Sequence, residues 1–326
     1  MRYLVTGGAG FIGSNIVDEL LRRGHDVTVL DDFSSGKEEN LAEAADRIRV
    51  IRGSICDLAA THEACRNADY VLHLAARTSV PRSVADPVDT NRVNIDGTLN
   101  VLIAARDAKV RRVVYAASSA AYGETPTLPK VETMPAAPIS PYGVTKLVGE
   151  MYAQVFGRVY GLENVSIRYF NVFGPRQDPT SQYSGVLSRF MLAILENTPP
   201  VVYGDGEQSR DFTYVDNVVD ITLRACEAPD ASGKVFNGGT GSRISLNSVL
   251  RNLESITGRK IDRKYEAPRA GDILHSQADI SLAHQLLGYE PRLGFEEGLR
   301  RTWQWYSENF ARSARSANKP QAGVAP

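Results

Sequence analysis

A glycine-rich segment near the beginning of the chain constrains the fold more than any other feature. Gly7, Gly10 and Gly13 form a GxxGxxG pattern directly after the apolar run Arg2–Thr6 and at the head of a helical stretch. A tight turn, a close backbone approach to a pyrophosphate and close helix–strand packing each need a residue without Cβ, and a helix N-terminus supplies free N–H groups. The segment therefore predicts a strand–turn–helix unit that binds a dinucleotide.

The rest of the first half alternates apolar runs with helical stretches. Nearly continuous apolar runs are typical of parallel strands that are buried on both faces. The order of the elements therefore predicts an α/β fold, a Rossmann-type doubly wound parallel sheet. The predicted strands are Arg2–Thr6, Asp26–Leu30, Arg47–Arg52, Tyr70–Ala75 and Arg112–Ala117, and the predicted helices are Ser14–Arg23, Leu58–Asn67, Thr90–Asp107 and Ser140–Gly161.

The second half has shorter elements separated by loops rich in Pro and Gly. We expect a strand at Val165–Phe173, a helix at Gly185–Glu196 and a short strand at Val201–Tyr203. These elements indicate a smaller C-terminal α/β substrate-binding region. We expect residues 1–175 to form the dinucleotide-binding domain, with some later segments returning to it, residues 176–311 to form mainly the substrate-binding domain, and the small, polar segment 312–326 to be disordered.

Charge and composition exclude several classes of protein. The 326 residues include 37 Lys or Arg and 38 Asp or Glu, so the net charge is −1. The chain therefore lacks the excess of positive charge that is typical of nucleic-acid-binding proteins. No run of about 18 apolar residues predicts a membrane span, and no leader precedes the first strand. Cys56, Cys65 and Cys226 have no metal-ligand spacing. We expect a cytoplasmic protein without a metal.

An aspartate ends the second predicted strand and indicates which dinucleotide binds. Asp31 occupies the place where a carboxylate accepts hydrogen bonds from an adenosine ribose and repels a 2′-phosphate. The preferred cofactor is therefore NAD rather than NADP. Asp32, the adjacent residue, is a candidate to share this role.

A tyrosine and a lysine lie one turn apart in the most clearly predicted helix. Tyr142 and Lys146 therefore share a helix face, and Ser118 and Ser119 end a predicted strand, where open α/β sheets bind ligands. A phenol with a pKa near 10 is about 0.1% ionised at pH 7, but a nearby ammonium group and a nicotinamide cation favour the phenolate. Tyr142 is therefore a candidate general base for a sugar hydroxyl.

These motifs together resemble the extended short-chain dehydrogenase/reductases, and most of all the UDP-sugar 4-epimerases. The likeness is greatest to the bacterial UDP-N-acetylglucosamine 4-epimerases that supply surface-polysaccharide synthesis. The matching segments cover nearly the whole chain in the order of the family: VTGGAGFIG (5–13), HLAA (73–76), SSAAYG (118–123), SPYGVTK (140–146), RYFNVFGPRQ (168–177), GDGEQSRDFTYVDNV (204–218) and RAGDILHSQAD (269–279).

The resemblance implies a mechanism and a cofactor site. Tyr142 would take the proton from the 4-hydroxyl of the sugar while Ser118 hydrogen-bonds that oxygen, and NAD would receive the C4 hydride and return it to the other face. Lys146 would hold the nicotinamide ribose and help to depress the pKa of Tyr142. The remaining expected cofactor contacts are Phe11, Ile12, Ser54, Ile55, Leu74, Ala75 and Ala76. Ser54 stands where the family usually has an aspartate, which implies weaker retention of NAD.

The resemblance also implies a nucleotide-sugar site. Asn171 would contact the diphosphate, Arg210 and Arg269 the phosphates, since a guanidinium donates in a fork, and Asp272 the uridine ribose. Ser276 is small where a bulky residue would exclude an N-acetyl group, which favours UDP-GlcNAc and UDP-GalNAc and permits UDP-glucose and UDP-galactose. Ser79 and Ser119 are further candidates for contact with the sugar.

Ala120 and Ala121 separate this chain from two related activities. The 4,6-dehydratases and the UDP-glucuronate decarboxylases place an acidic residue directly after the active-site Ser or Thr, and the segment SSAAYG has none. Simple epimerisation is therefore favoured. The alternatives are a UDP-glucuronate 4-epimerase, for which Arg189 and the serine pair would bind the carboxylate, another NAD-dependent nucleotide-sugar enzyme, and a non-enzymatic nucleotide sensor. The resemblance also implies a homodimer formed through Thr90–Asp107 and Pro141–Tyr160.

Overall fold

The computed structural model describes residues 1–178, 185–268 and 273–317 of the chain. Its strands, in chain order, are β1 (Arg2–Thr6), β2 (Asp26–Asp31), β3 (Ile48–Arg52), β4 (Tyr70–His73), β5 (Arg112–Ser118), β6 (Asn164–Tyr169), β7 (Val172–Phe173), β8 (Val201–Tyr203), β9 (Ser209–Arg210), β10 (Thr213–Tyr214), β11 (Lys234–Gly238), β12 (Ile244–Ser245) and β13 (Lys264–Glu266).

The helices lie between and after these strands. They are α1 (Phe11–Arg22), α2 (Leu58–Cys65), α3 (Val80–Ala85), α4 (Pro87–Asn91), α5 (Gly97–Asp107), α6 (Pro141–Tyr160), α7 (Val186–Leu195), α8 (Val215–Glu227), α9 (Leu246–Thr257), α10 (Ser281–Leu287) and α11 (Phe295–Ala317). Short 3-10 segments occur at Glu38–Arg47, Ser119–Tyr122 and Pro229–Ala231, and a π-helical turn at Arg92–Asp96 joins α4 to α5.

The seven-stranded parallel sheet confirms the predicted fold class. Its order is β11-β6-β5-β4-β1-β2-β3, so the chain moves outward from β1 in one direction and then returns to build the other half. The carboxyl ends of β1 and β4 meet at the point where the direction reverses, and an open α/β sheet binds its ligands at this crevice. Apolar clusters pack on both faces of the sheet, one including α1 and α8 and the other α5.

Several element boundaries differ from the sequence-based expectations for local reasons. Helix α1 begins at Phe11 rather than Ser14, because Gly10 has the extended conformation of an N-cap and its carbonyl accepts from the Ser14 N–H at 3.0 Å. Helical structure begins at Pro87 rather than Thr90, since Asp86 caps that turn by accepting from the Asp89 N–H at 3.0 Å. The expected strand Val165–Phe173 divides into β6 and β7.

The later elements form a smaller unit beside the sheet. Residues of α7, α9 and α11 share an apolar cluster with Phe173, Phe212 and Tyr214. Helix α11 extends to Ala317, so it includes the first six residues of the segment 312–326, for which the sequence predicts disorder. Residues 318–326 lie outside the described residues. Within the described part of the chain, no helix has the length and apolar character needed to cross a bilayer.

Candidate active site

The glycine loop between β1 and α1 has the geometry that a pyrophosphate requires. Gly7 has a φ of +71°, and a Cβ there would lie 2.8 Å from the Ala75 nitrogen. A Cβ on Gly13 would lie 2.2 Å from the Gly7 carbonyl oxygen, so a side chain would fill the turn. Gly10 caps α1 without a side-chain hydrogen bond, and the following N–H groups, including those of Phe11 and Ile12, begin the helix that faces this loop.

Asp31 lies at the end of β2 beside the glycine loop. One carboxylate oxygen accepts from the Ala9 N–H at 2.9 Å and the other from the Phe33 N–H at 2.8 Å. Burial raises the pKa of Asp31, and these two hydrogen bonds oppose that shift. Each oxygen keeps a second lone pair, so the carboxylate can still accept from ribose hydroxyls. The Asp32 side chain stabilises a turn, because it accepts from the Ser34 N–H at 3.0 Å.

The remaining expected cofactor residues follow β3 and β4. Ser54 accepts from the Cys56 N–H at 3.2 Å, and the carbonyl of the buried Ile55 accepts from Asn100 Nδ2 at 3.0 Å. After β4, the Leu74 N–H donates to the Thr6 carbonyl and the Ala75 N–H to Thr6 Oγ1, both at 3.2 Å. These contacts place Leu74 and Ala75 at the rim of the glycine loop, and Ala76 is the next residue along the chain.

The tyrosine of α6 and the serine that ends β5 form a hydroxyl pair. The Ser118 hydroxyl lies close enough to the Tyr142 ring to favour its phenolate, and Ser118 Oγ accepts from the Ala120 N–H at 3.2 Å. Ser119 lies next to them in the 3-10 turn. Ser140 caps α6 by accepting from the Gly143 N–H at 3.1 Å, and Pro141 occupies the first helical turn, where its missing N–H costs nothing.

The start of α6 is further held by polar residues that the sequence did not reveal. The Tyr142 N–H donates to Ser83 Oγ at 3.1 Å. Thr145 Oγ1 donates to the Tyr142 carbonyl at 2.8 Å and accepts from Asn94 Nδ2 at 3.0 Å. Asn94 Oδ1 in turn accepts from the Arg77 N–H at 2.7 Å. A single chain of contacts therefore links the loop after β4 to the tyrosine.

Lys146 lies one turn after Tyr142 and is almost fully buried. Its Nζ donates to the Ala116 carbonyl at 2.7 Å and lies 5.1 Å from the centroid of the Tyr115 ring. Burial lowers the pKa of Lys146 to about 8, against a raising contribution from Glu150.

In the protein alone, burial raises the pKa of Tyr142, and Ser118 opposes this shift. The expectation of a depressed pKa concerns the site with a nicotinamide cation bound. The Lys146 ammonium group is itself desolvated and donates to a backbone carbonyl. A phenolate at this site therefore needs a further positive charge near the ring.

The substrate-side candidates lie beyond the ends of β6 and β9. Asn171 is exposed two residues after the end of β6, and Ser276 Oγ donates to its Oδ1 at 3.3 Å. Ser276 Oγ also accepts from the Asp211 N–H at 3.4 Å. Arg210 Nη1 donates to the Ser209 and Leu274 carbonyls, both at 3.1 Å. Arg210 and Ser276 therefore lie on adjoining segments.

Two of the predicted phosphate and ribose contacts cannot be placed, and one sugar contact has a structural role. Arg269 and Asp272 lie outside the described residues. Ser79 caps α3 by accepting from the Arg82 N–H at 3.0 Å, so its hydroxyl can still donate. In the described ranges, no group of three or more His, Cys, Asp or Glu side chains could hold a metal ion.

Asp211 is a buried residue that sequence reasoning missed. Its carboxylate accepts from four donors: the Thr240 N–H at 2.8 Å, Thr240 Oγ1 at 2.7 Å, the Gly241 N–H at 3.0 Å and the Ala278 N–H at 3.1 Å. It thus joins the segment that bears Arg210 to the segment that bears Ser276. The one feature of the sequence that could have identified Asp211 is its position directly after Arg210.

Comparison with known proteins agrees with this geometry. Residues 3–239 match the model of the NAD dependent epimerase/dehydratase family. A UDP-glucose 4-epimerase from Mycolicibacterium smegmatis is 40% identical over 310 residues, which cover 94% of this chain and 98% of the relative. Since both matches span most of the chain, the protein belongs to the NAD dependent epimerase/dehydratase family, and NAD is its cofactor.

Two solved structures share the fold as well as the sequence. A UDP-N-acetylglucosamine 4-epimerase from Methanobrevibacter ruminantium, in complex with UDP-N-acetylmuramic acid, is 41% identical with a TM-score of 0.91 and covers 94% of this chain and 98% of its own. A variant of UDP-glucuronic acid 4-epimerase from Bacillus cereus, with a fluorinated UDP-glucuronic acid and NAD, is 32% identical with a TM-score of 0.88 and covers 95% of this chain and 100% of its own.

Proposed function

We propose that this NAD-dependent enzyme reversibly inverts C4 of a UDP-hexose, and that UDP-GlcNAc and UDP-GalNAc are its preferred substrates. The observation that carries the proposal is the Tyr142–Ser118 hydroxyl pair at the end of β5, on the same edge of the sheet as a glycine loop shaped for a dinucleotide. Two hydroxyls and a lysine are suited to removing a proton from a secondary alcohol while its carbon is oxidised. Two relatives that match this chain over nearly its full length are named as UDP-sugar 4-epimerases, which supports this assignment.

In the proposed reaction, Tyr142 removes the proton from the 4-hydroxyl and Ser118 hydrogen-bonds the same oxygen. NAD, held by the glycine loop and Asp31, would supply the acceptor for the C4 hydride and be regenerated within each cycle. The positive charge of the oxidised nicotinamide would offset the burial that raises the pKa of Tyr142. Lys146 would hold the nicotinamide ribose.

Tight binding of the UDP portion and weak binding of the hexose would allow the 4-keto sugar to rotate in the pocket and present its other face. We propose that Asn171, Arg210, Arg269 and Asp272 bind the UDP portion. The Ser276 side chain is small and donates to Asn171 at 3.3 Å, an arrangement that would leave room for a C2 N-acetyl group. Ser79 and Ser119 are proposed to contact the sugar.

The proposal is tested with purified protein and no added cofactor. UDP-GlcNAc, UDP-glucose and UDP-glucuronate are incubated separately, and the anomeric protons are followed by NMR. A galacto-configured signal from UDP-GlcNAc is expected, and Tyr142→Phe should reduce its rate about 10²–10⁴-fold. Ser276→Tyr is the matched control for pocket size: it should abolish turnover of UDP-GlcNAc and retain that of UDP-glucose.

Other outcomes select among the alternatives. Turnover of UDP-glucose alone would refute the Ser276 argument, and turnover of UDP-glucuronate alone would favour the uronate epimerase, a specificity held by the Bacillus cereus relative. If none of the three sugars reacts even with added NAD, the epimerase assignment is wrong.

We also propose a homodimer, because α6 exposes an apolar face that a second copy would cover. Val144, Met151, Val155 and Val159 are 44%, 57%, 47% and 64% exposed, at spacings that align them along one side of the helix. Light scattering after size exclusion should give twice the monomer mass. Met151→Glu together with Val155→Glu should give the monomer, whereas Val50→Glu, at an exposed valine of β3, should not.

A cytoplasmic location is part of the same proposal. Cys56, Cys65 and Cys226 are all free thiols, as is usual in a reducing compartment. Cell fractionation with an antibody against the protein tests this assignment.

A further inference from the structure

Arg77, the residue directly after Ala76, connects two loops that surround the glycine loop. Its Nε donates to Asp89 Oδ2 at 3.0 Å, and its Nη1 donates to Ser34 Oγ. Ser34 in turn donates through its backbone N–H to Asp32 Oδ1 at 3.0 Å. The side chains of Arg77 and Asp89 are only 16% and 17% exposed. The guanidinium is therefore held at one end and presents its other end to the loop after β2.

The two connected loops lie on opposite sides of the dinucleotide crevice. Strands β4 and β2 are the two neighbours of β1, and the glycine loop follows β1. On one side, the Ala75 nitrogen lies 2.8 Å from the position of a Cβ on Gly7. On the other side, the Lys37 N–H donates to the Ala9 carbonyl at 3.0 Å. The contact between Arg77 and Ser34 therefore joins one rim of the crevice to the other.

Arg77 belongs to a network of charged side chains around Asp89. Asp89 pairs with Arg82 at 3.3 Å and with Arg92 at 2.8 Å as well as with Arg77. Asp86 is the other carboxylate of the cluster and accepts from the Asp89 N–H. Asp89 thus fixes the position of Arg77 on one rim, and on the other rim Ser34 is held by Asp32. A hydrogen bond from a charged guanidinium to Ser34 is stronger than one between neutral groups.

We infer that Arg77 and Ser34 form a latch on the adenosine side of the NAD site and slow the release of the cofactor. The inference rests on NAD as the cofactor of the proposed epimerase and does not depend on which sugar reacts. A resident cofactor suits an enzyme that regenerates its NAD in every cycle. The latch also opposes the weaker retention expected from Ser54.

The test measures release of NAD from the purified holoprotein. The protein is diluted into an excess of NAD glycohydrolase, which destroys released NAD, and the NAD that remains bound is assayed over time. Arg77→Ala should release NAD about tenfold faster than the wild type, the effect of a lost charge-assisted hydrogen bond. Ser34→Ala should accelerate release as well. Arg92→Ala is the matched control, since Arg92 contacts the same carboxylate from a 60% exposed position, and its release should be unchanged.

Two results would overturn the latch: wild-type release from Arg77→Ala, or equal acceleration in Arg77→Ala and Arg92→Ala. Far-UV circular dichroism establishes that each variant is folded. If Arg77→Ala does not fold, Ser34→Ala alone decides the matter, and unchanged release from it refutes the latch. No UDP-sugar enters the assay, so failure of the proposed substrate leaves this result intact.

Discussion

Replacing Glu150 by glutamine should destabilise the protein strongly, because it leaves a buried guanidinium without its counter-charge. Glu150 on α6 accepts from Arg168 Nε at 2.9 Å and from its Nη2 at 2.8 Å. The two side chains are 3% and 6% exposed. The Arg168 guanidinium also lies 4.5 Å from the centroid of the Tyr122 ring, and its Nη1 has no hydrogen-bond partner among the described residues.

The expected loss follows from this geometry. Breaking a buried ion pair by removing one partner costs about 3–5 kcal/mol. With an unfolding entropy of about 2.1 cal/mol/K per residue, a chain of this size loses about 4–7 °C in Tm. The substitution also removes the charge that raises the pKa of Lys146, so the pKa of that buried ammonium should fall below about 8.

The assay is thermal and urea-induced unfolding followed by circular dichroism. Glu63→Gln is the matched control, because Glu63 pairs with Arg49 at the surface with side chains 50% and 54% exposed, and it should cost less than about 1 kcal/mol. Glu150→Leu combined with Arg168→Met should be more stable than Glu150→Gln, since no charge is left buried. A loss in Glu150→Gln no larger than in Glu63→Gln would refute the reasoning.

Three further perturbations test the site. Gly13→Ala should leave little NAD in the purified protein, because its Cβ would lie 2.2 Å from the Gly7 oxygen, whereas Gly294→Ala, which has open space, should retain it. Asp31→Asn should weaken NAD binding about tenfold in calorimetry; unchanged affinity would remove Asp31 from the ribose site. Burial lowers the pKa of His73 to about 3, so the folded state resists its protonation and stability falls as the pH drops below about 6.5. Between pH 6.5 and 5 the wild type should therefore lose about 2 kcal/mol more than His73→Gln in urea unfolding, and parallel losses would contradict this.

The sequence predicted the parts of the site that depend on local structure. The glycine pattern, the carboxylate of Asp31 and the Ser140–Pro141 start of α6 each act within one or two turns of chain, and residue type alone constrains them. The fold class followed from the alternation of elements, which the sheet confirms. Within those limits, the error at the start of α1 arose because Gly10 caps the helix through its backbone conformation, which leaves no side-chain signal.

Contacts between distant segments could not be predicted in this way. Asn94 reaches Thr145 across 51 positions, and Ser276 reaches Asn171 across 105. Nothing in the local pattern of either partner specifies the other, because packing of the sheet edges decides which loops meet. The same limit applies to the pKa values in the protein alone: spacing places Lys146 on the helix face of Tyr142, but burial of both groups determines the direction of each pKa shift.

Helix α6 connects catalysis, stability and assembly. Tyr142, Lys146 and Glu150 repeat every four residues and therefore share one face, which is held by Ser118, by Ala116 and by Arg168. The opposite face carries the exposed apolar side chains proposed to meet a second copy. A partner packed on that face would restrict motion of the helix that positions the base. The monomeric variant with glutamates at Met151 and Val155 should therefore have a reduced kcat as well as half the mass, although neither position contacts the hydroxyl pair. An unchanged kcat in the monomer would show that contacts within one chain suffice to position Tyr142.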